Sequence, residues 1–157
     1  MTGFRRGVRL GIDVGRARVG VARCDPDGML AVPVETVPRS ETSLARLAEL
    51  AKEYDPLEFL VGLPVNMQGN DTPSTTDARE FAAALQQLTA VPVRLVDERL
   101  STVSAHAALR GSGRTQRNSR SIVDQVAAVV LLQHAIDTEK STGSPAGSVV
   151  PPIEESP

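Results

Sequence analysis

The sequence predicts an α/β domain: a mixed five-stranded sheet, three antiparallel strands then parallel ones, with helices on both faces. Three observations carry this. Period-two strand patterns recur three times at the start of the chain, helical and strand patterns then alternate, and the 41% of hydrophobic residues is nearly all aliphatic. At 157 residues the chain fits one domain, and with aromatics at 3% its core must be built from Val, Leu, Ile and Ala.

Val8, Leu10, Ile12 and Val14 alternate with Arg9, Gly11 and Asp13, which marks the first strand. A second strand spans 18–24, and Asp25-Pro26-Asp27-Gly28 reads as a tight turn into a third over 29–37. Ser40-Glu41-Thr42-Ser43 offers caps to a helix whose Leu44, Leu47, Ala48, Leu50 and Ala51 share one face. A short apolar run at 57–62 suits a buried strand. A polar loop through Asn66, Gly69, Asn70 and Asp71 leads to a helix over 75–88 with Phe81, Leu85 and Leu88 inward. A strand at 91–96, a helix at 100–109, a loop at 111–113 and an apolar helix at 122–136 follow. Residues 139–157 are rich in Ser, Gly, Pro and Glu and read as a disordered tail. The order β-β-β-α-β-α-β-α-α matches the ribonuclease H-like superfold, which does not by itself give a function.

Composition excludes several classes. The single Cys24 forms no intrachain disulfide, and one Cys with two distant His (His106, His134) provides no structural zinc set. No signal peptide is legible, since Arg9 and Asp13 break the first apolar stretch, and the apolar run at 126–132 is too short to cross a bilayer. A cytoplasmic protein with no membrane partner is expected. No Gly-x-Ser-x-Gly elbow or Walker A loop occurs. The net charge of −2 hides a basic stretch: Arg99, Arg110, Arg114, Arg117 and Arg120 lie in 99–121 with no acid. That cluster suits a phosphate backbone, or simply a solvated loop.

Three acids stand where an acid is locally awkward. Asp13 is flanked by Gly11 and Gly15, which strip its surface of side chains and leave room for a backbone, a phosphate or a metal; a Gly-rich turn is the plain alternative. Glu98 and Asp97 sit where a strand hands over to a helix, on opposite faces by alternation, and pattern alone does not choose between them. Asp124 fits a loose capping box after Ser121, yet its side of the helix sweeps past Ala128, Leu131 and Ala135, a face built for burial.

Taken together these residues resemble a known family, the YqgF-type ribonuclease H-like proteins, named both for Holliday-junction resolution and for pre-16S rRNA processing. Four ordered blocks carry the resemblance: 10–15 with 18–22, 61–67, Asp97-Glu98-Arg99-Leu100-Ser101-Thr102, and 123–128. The resemblance implies a nuclease domain over 1–138, with Asp13, Glu98 and Asp124 as the acidic trio, Glu98 rather than Asp97. It also implies that Gly62-Leu63-Pro64 and Asn66 line the cleft. Arg16, Gln68 and Ile122 depart from the family pattern, which bears on substrate fit.

The resulting expectation is metal-dependent hydrolysis of phosphodiesters. The trio would hold one or two Mg²⁺ or Mn²⁺ ions, activating water and easing departure of the 3′-oxygen. Arg18, Asn66, Arg99, Thr102, Arg110, Arg114, Arg117 and Arg120 would contact nucleic acid, either 5′-extended pre-16S rRNA or branched DNA. The protein would act as a monomer or weak homodimer. Two other classes compete: an actin-like ATPase, suggested by Gly11-Ile12-Asp13-Val14-Gly15 but needing a second domain, and a non-catalytic RNA-binding module.

Overall fold

A computed structural model of the chain describes residues 4–98 and 116–150, with side chains at 4–98 and 125–150. Its strands are β1 (Arg9–Val14), β2 (Arg18–Cys24), β3 (Ala31–Pro38), β4 (Glu58–Leu63), β5 (Val93–Asp97) and β6 (Ser148–Val149). Its helices are α1 (Ser43–Tyr54), α2 (Pro73–Leu88) and α3 (Gln116–Thr142). The sheet order is β3-β2-β1-β4-β5-β6. The β1–β2 and β2–β3 pairs are antiparallel, β4 and β5 extend the sheet in parallel from β1, and β6 closes the edge antiparallel to β5. The mixed α/β architecture is therefore as the sequence predicts, with six strands in place of five.

Alternation along each strand divides the core in two. Leu10, Ile12, Val19, Val21, Phe59, Val61, Val93 and Leu95 pack on one face under α1 and α2, beside Leu47, Leu50, Phe81 and Leu85. Ala22, Cys24, Leu60 and Val96 form the other face under α3, whose Ala128, Leu131, Leu132, Ala135 and Ile136 are buried on it. Small residues let α3 approach closely. A Cβ at Gly11 would lie 2.9 Å from Leu132 Cβ and 3.0 Å from the Ala128 carbonyl oxygen. Gly11 thus makes room for the backbone of a helix, one of the three neighbours its place beside Asp13 left open.

The helix also buries an ion cluster at the far end of this face. Arg9, 1% exposed, lies between Glu58 and Glu139, with Nη2 3.1 Å from Glu139 Oε2 and Nε 3.9 Å from Glu58 Oε2. Arg5 bridges the same two carboxylates at 3.0 and 2.8 Å. Remaining Arg9 donors reach the carbonyls of Gly7 and Arg5, and Phe4 stacks over its guanidinium at 4.3 Å. A charge this deep persists only when so fully partnered.

Three sequence expectations need correction. Met29 and Leu30 are exposed in the turn before β3, and Leu88 is exposed at the end of α2, where the inward face has run out. The segment 139–150, assigned by composition to a disordered tail, is ordered: α3 continues to Thr142 and β6 pairs with β5. Its few apolar residues are well placed, since Ala146 and Val150 are buried while the backbone satisfies an otherwise open sheet edge. The expected helix at 100–109 and loop at 111–113 lie outside the described residues, as do 151–157. Among the described residues no helix is long and apolar enough to cross a membrane.

Candidate active site

The β1 strand delivers Asp13 at its carboxyl end, on the α3 face, directly opposite Gly20 of β2. The β5 strand runs parallel two places away, and the chain leaves it at Glu98, whose N–H donates to the Leu63 carbonyl at 3.2 Å. Alternation had left Asp97 and Glu98 on opposite faces, and the sheet settles which of them meets Asp13. Asp97 is exposed, whereas Glu98 is 6% exposed and turns onto the α3 face beside Gly62. A Cβ at Gly62 would overlap Glu98 Oε2 and stand 2.9 Å from Cδ, so only glycine lets the carboxyl in.

The electrostatics are those of two acids pressed together. Burial, and then the neighbouring Asp13 carboxylate, push the Glu98 carboxyl up to about 9. A side-chain hydrogen bond between Asp13 and Glu98 acts in the same direction, and Asp97 adds further repulsion. Near neutral pH the pair therefore shares a proton. Glu98 Oε2 is buried with no hydrogen-bond partner among the described residues. An orphaned carboxyl oxygen beside a second carboxylate fits a hard divalent cation, which binds oxygen ligands and can take the place of the shared proton.

The third acid is placed only by its backbone. Asp13, Gly20 and Thr36 form one row across β1, β2 and β3, and α3 crosses that row where Gln125 Nε2 donates to Thr36 Oγ1 at 2.6 Å. Position 124 is the adjoining residue of the helix, one turn before Ala128. The side chain of Asp124 lies outside the described residues, and so do those of Arg117 and Arg120 on the same helix. Among the described residues no group of three or more metal-ligating side chains is gathered.

Of the expected nucleic-acid contacts, Arg18 opens β2 on the Asp13 face, two residues before Gly20. Asn66 is engaged in shaping its own loop: its Oδ1 accepts from the Gln68 and Asn70 N–H groups at 3.0 and 2.9 Å. Gly69 supplies the positive φ of 83° that this turn requires. Arg99, Thr102, Arg110 and Arg114 lie outside the described residues. The loop is anchored by a contact the sequence reading missed. Thr75, fully buried in the first turn of α2, donates Oγ1 to the Pro64 carbonyl at 2.8 Å and accepts from the Thr72 N–H at 2.9 Å. The reciprocal bond from Thr75 N–H to Thr72 Oγ1 completes a capping box, with Thr in place of the usual Glu or Gln.

Known proteins resemble this chain in both sequence and fold. The profile of the RuvX family, described as Holliday junction resolvase, matches residues 7–138. A protein of Clavibacter michiganensis subsp. michiganensis is 55% identical over 151 residues, covering 94% of each chain. One of Nocardioides sp. is 55% identical over 153 residues, covering 94% of this chain and 98% of its own. Both carry the name "Putative pre-16S rRNA nuclease". Among solved structures, Thermus thermophilus RuvC in complex with a Holliday junction substrate aligns with a TM-score of 0.55. That alignment is 20% identical and covers 88% of this chain and 98% of the other, a likeness of fold alone. With its profile matched over 7–138 and relatives more than half identical along nearly their whole length, the chain belongs to the RuvX family.

Proposed function

We propose that this protein is a divalent-metal-dependent nuclease that hydrolyses phosphodiester bonds, acting in the cytoplasm on the 5′ end of pre-16S rRNA. One observation carries the reading: the Asp13–Glu98 carboxyl contact, with Glu98 Oε2 buried and without a hydrogen-bond partner among the described residues, at the carboxyl ends of parallel strands. Asp13 and Glu98 would hold the cation, with Asp124 as third carboxylate. When bound, Mg²⁺ or Mn²⁺ supplies positive charge at the phosphate and makes water a stronger nucleophile.

The protein's own share is positioning. Asp13 is fixed by a strand paired on both sides. Glu98 is fixed by the Gly62 notch and the Leu63 carbonyl, so neither carboxylate must be ordered when substrate arrives. Arg18, Arg99, Arg110, Arg114, Arg117 and Arg120 would meet flanking phosphates, with Thr102 and the Asn66 loop at the rim. The names of the curated relatives support the rRNA substrate. The family description and the RuvC likeness support a second reading, resolution of four-way DNA junctions.

The test is cleavage of a 5′-extended 16S rRNA precursor in Mn²⁺, with ends mapped. Wild type is expected to shorten the 5′ end, and Asp13→Asn and Glu98→Gln to lose about a hundredfold in rate. Wild-type turnover by both variants overturns the nuclease reading. Paired symmetric cuts in a four-way DNA junction, with the rRNA precursor left intact, transfer the assignment to the second substrate.

A further inference from the structure

Helix α3 runs antiparallel to β1, and two contacts mark its course. At one end Arg9 Nη2 meets Glu139 Oε2 at 3.1 Å, and further along the strand Gly11 lies against Ala128 and Leu132. From Gly11 to Asp13 the strand advances about 7 Å, and from Ala128 back to Asp124 the helix covers about 6 Å. The matched steps bring the backbone of position 124 over Asp13.

Packing alone leaves the roll of the helix loosely set at this end. The sheet surface beneath it is Gly11, Gly20 and Ala22, and the helix meets it with Ala128. Such small residues allow close approach but interlock little. A roll of about 10° moves a side-chain end, about 5 Å from the axis, by about 1 Å. Ligand distances in a metal site hold to about 0.2 Å. Directional bonds can fix what flat packing does not, and two amides of α3 make such bonds to β3. Gln125 Nε2 donates to Thr36 Oγ1 at 2.6 Å, and about two turns further on Gln133 Oε1 accepts from the Ala31 N–H at 3.0 Å. Of these two, the Gln125 bond falls in the row of Asp13, Gly20 and Thr36, next to position 124.

We propose that Thr36 and Gln125 are positioning residues, whose bond fixes the roll of α3 and so delivers Asp124 to the cation shared with Asp13 and Glu98. The proposal rests on the reading of Asp124 as third carboxylate. It also gives a function to Gln125, the polar residue that follows the acid in the last of the four motifs.

The test is calorimetric titration of Mn²⁺ into full-chain variants that keep Asp13, Glu98 and Asp124. Thr36→Val, which keeps the side chain's shape, and Gln125→Met, which keeps its length, are each expected to weaken binding about tenfold. The double variant should bind no more weakly than either alone, since both changes remove the same bond. Thr36→Ser keeps the hydroxyl and should bind as wild type does. Gln133→Met breaks the other tie between α3 and β3, so it carries a comparable structural loss, and its Mn²⁺ affinity should be unchanged. Wild-type affinity in Thr36→Val, or an equal loss in Gln133→Met, overturns the proposal. Asp124→Asn tests the reading beneath it separately, because that variant keeps the Gln125 bond. Undiminished affinity there removes Asp124 from the site and, with it, any role for the bond in placing a ligand.

Discussion

Gly62 and Glu98 are fitted to each other: the missing side chain of the first is the space taken by the carboxyl of the second. Any Cβ at position 62 must displace Glu98 from its place beside Asp13. Gly62→Ala is therefore expected to fold, at a cost of about 1–3 kcal/mol from overpacking. Its cleavage rate should fall at least about tenfold, because the displaced carboxyl no longer shares a site with Asp13. Urea denaturation and initial-rate cleavage check the two halves separately. A variant that melts early yet cleaves normally would show that Glu98 does not need this seat.

Cation binding should be coupled to proton release. With its carboxyl pushed up to about 9 by burial and by Asp13, Glu98 holds a proton at neutral pH in the metal-free protein. A folded value above the unfolded one means that stability from this group is complete below the ordinary carboxylate range. It is lost as pH rises through about 9. A divalent cation that takes the proton's place reverses that loss. Mn²⁺ is expected to raise the melting temperature of wild type at pH 7.5 and not that of Asp13→Asn. Calorimetry in buffers of different ionisation enthalpy should report about one proton released per site. Identical heats in all buffers would contradict the shared-proton state.

What could be read from the residues, and what could not, follows from the range of the interactions. Strand alternation and turn chemistry are local, so β1 to β5, α1 and α2 were legible from short windows. Asp13 and Glu98 were legible because four ordered motifs resemble a family, whereas periodicity alone could not separate Glu98 from Asp97. That choice depends on how β5 sits beside β4 and β1, a long-range fact. Arg9 shows the same limit. Its alternation with Val8 and Leu10 fits an exposed face, but α3, about 130 residues further on, covers that face and supplies Glu139. Gly11 stayed open between a backbone, a phosphate and a metal for this reason: the choice is set by Leu132 and the Ala128 carbonyl of a distant helix. The segment 139–150 was misread because composition averages over Ala146 and Val150, the two residues that anchor it.

The buried ion cluster predicts acid sensitivity. Burial alone would raise the Glu139 carboxyl, but hydrogen bonds from Arg5 and the charges of Arg9 and Arg5 outweigh it and bring the group down to about 2. A carboxyl lower when folded than unfolded stabilises the fold above the ordinary carboxylate range. That stabilisation is lost as pH falls through about 2. Chemical denaturation between pH 6 and 2.5 should show stability falling steadily in wild type. Glu139→Gln should flatten the curve and, by leaving buried Arg9 with Glu58 at 3.9 Å as its remaining carboxylate, lower stability at pH 6 by about 1–3 kcal/mol. An unchanged pH slope in Glu139→Gln would mean that other carboxylates govern acid unfolding.

Thr75 ties the loop through Asn66 to a helix. Its hydroxyl donates to the Pro64 carbonyl and accepts from the Thr72 N–H, so one buried side chain holds both ends of the loop through Asn66. Thr75→Val keeps shape and volume but removes both bonds, stranding a buried carbonyl and a helix-start N–H. The expected loss of stability is about 1–3 kcal/mol. Hydrogen exchange should speed up over 64–72 more than over β1 or β4, since those strands keep their ladders. With the Asn66 loop at the rim of the site, as proposed, the variant should bind substrate more weakly while keeping most of its turnover at saturation. A fall in turnover matching that of Asp13→Asn would instead place Thr75 or its loop among the reacting groups.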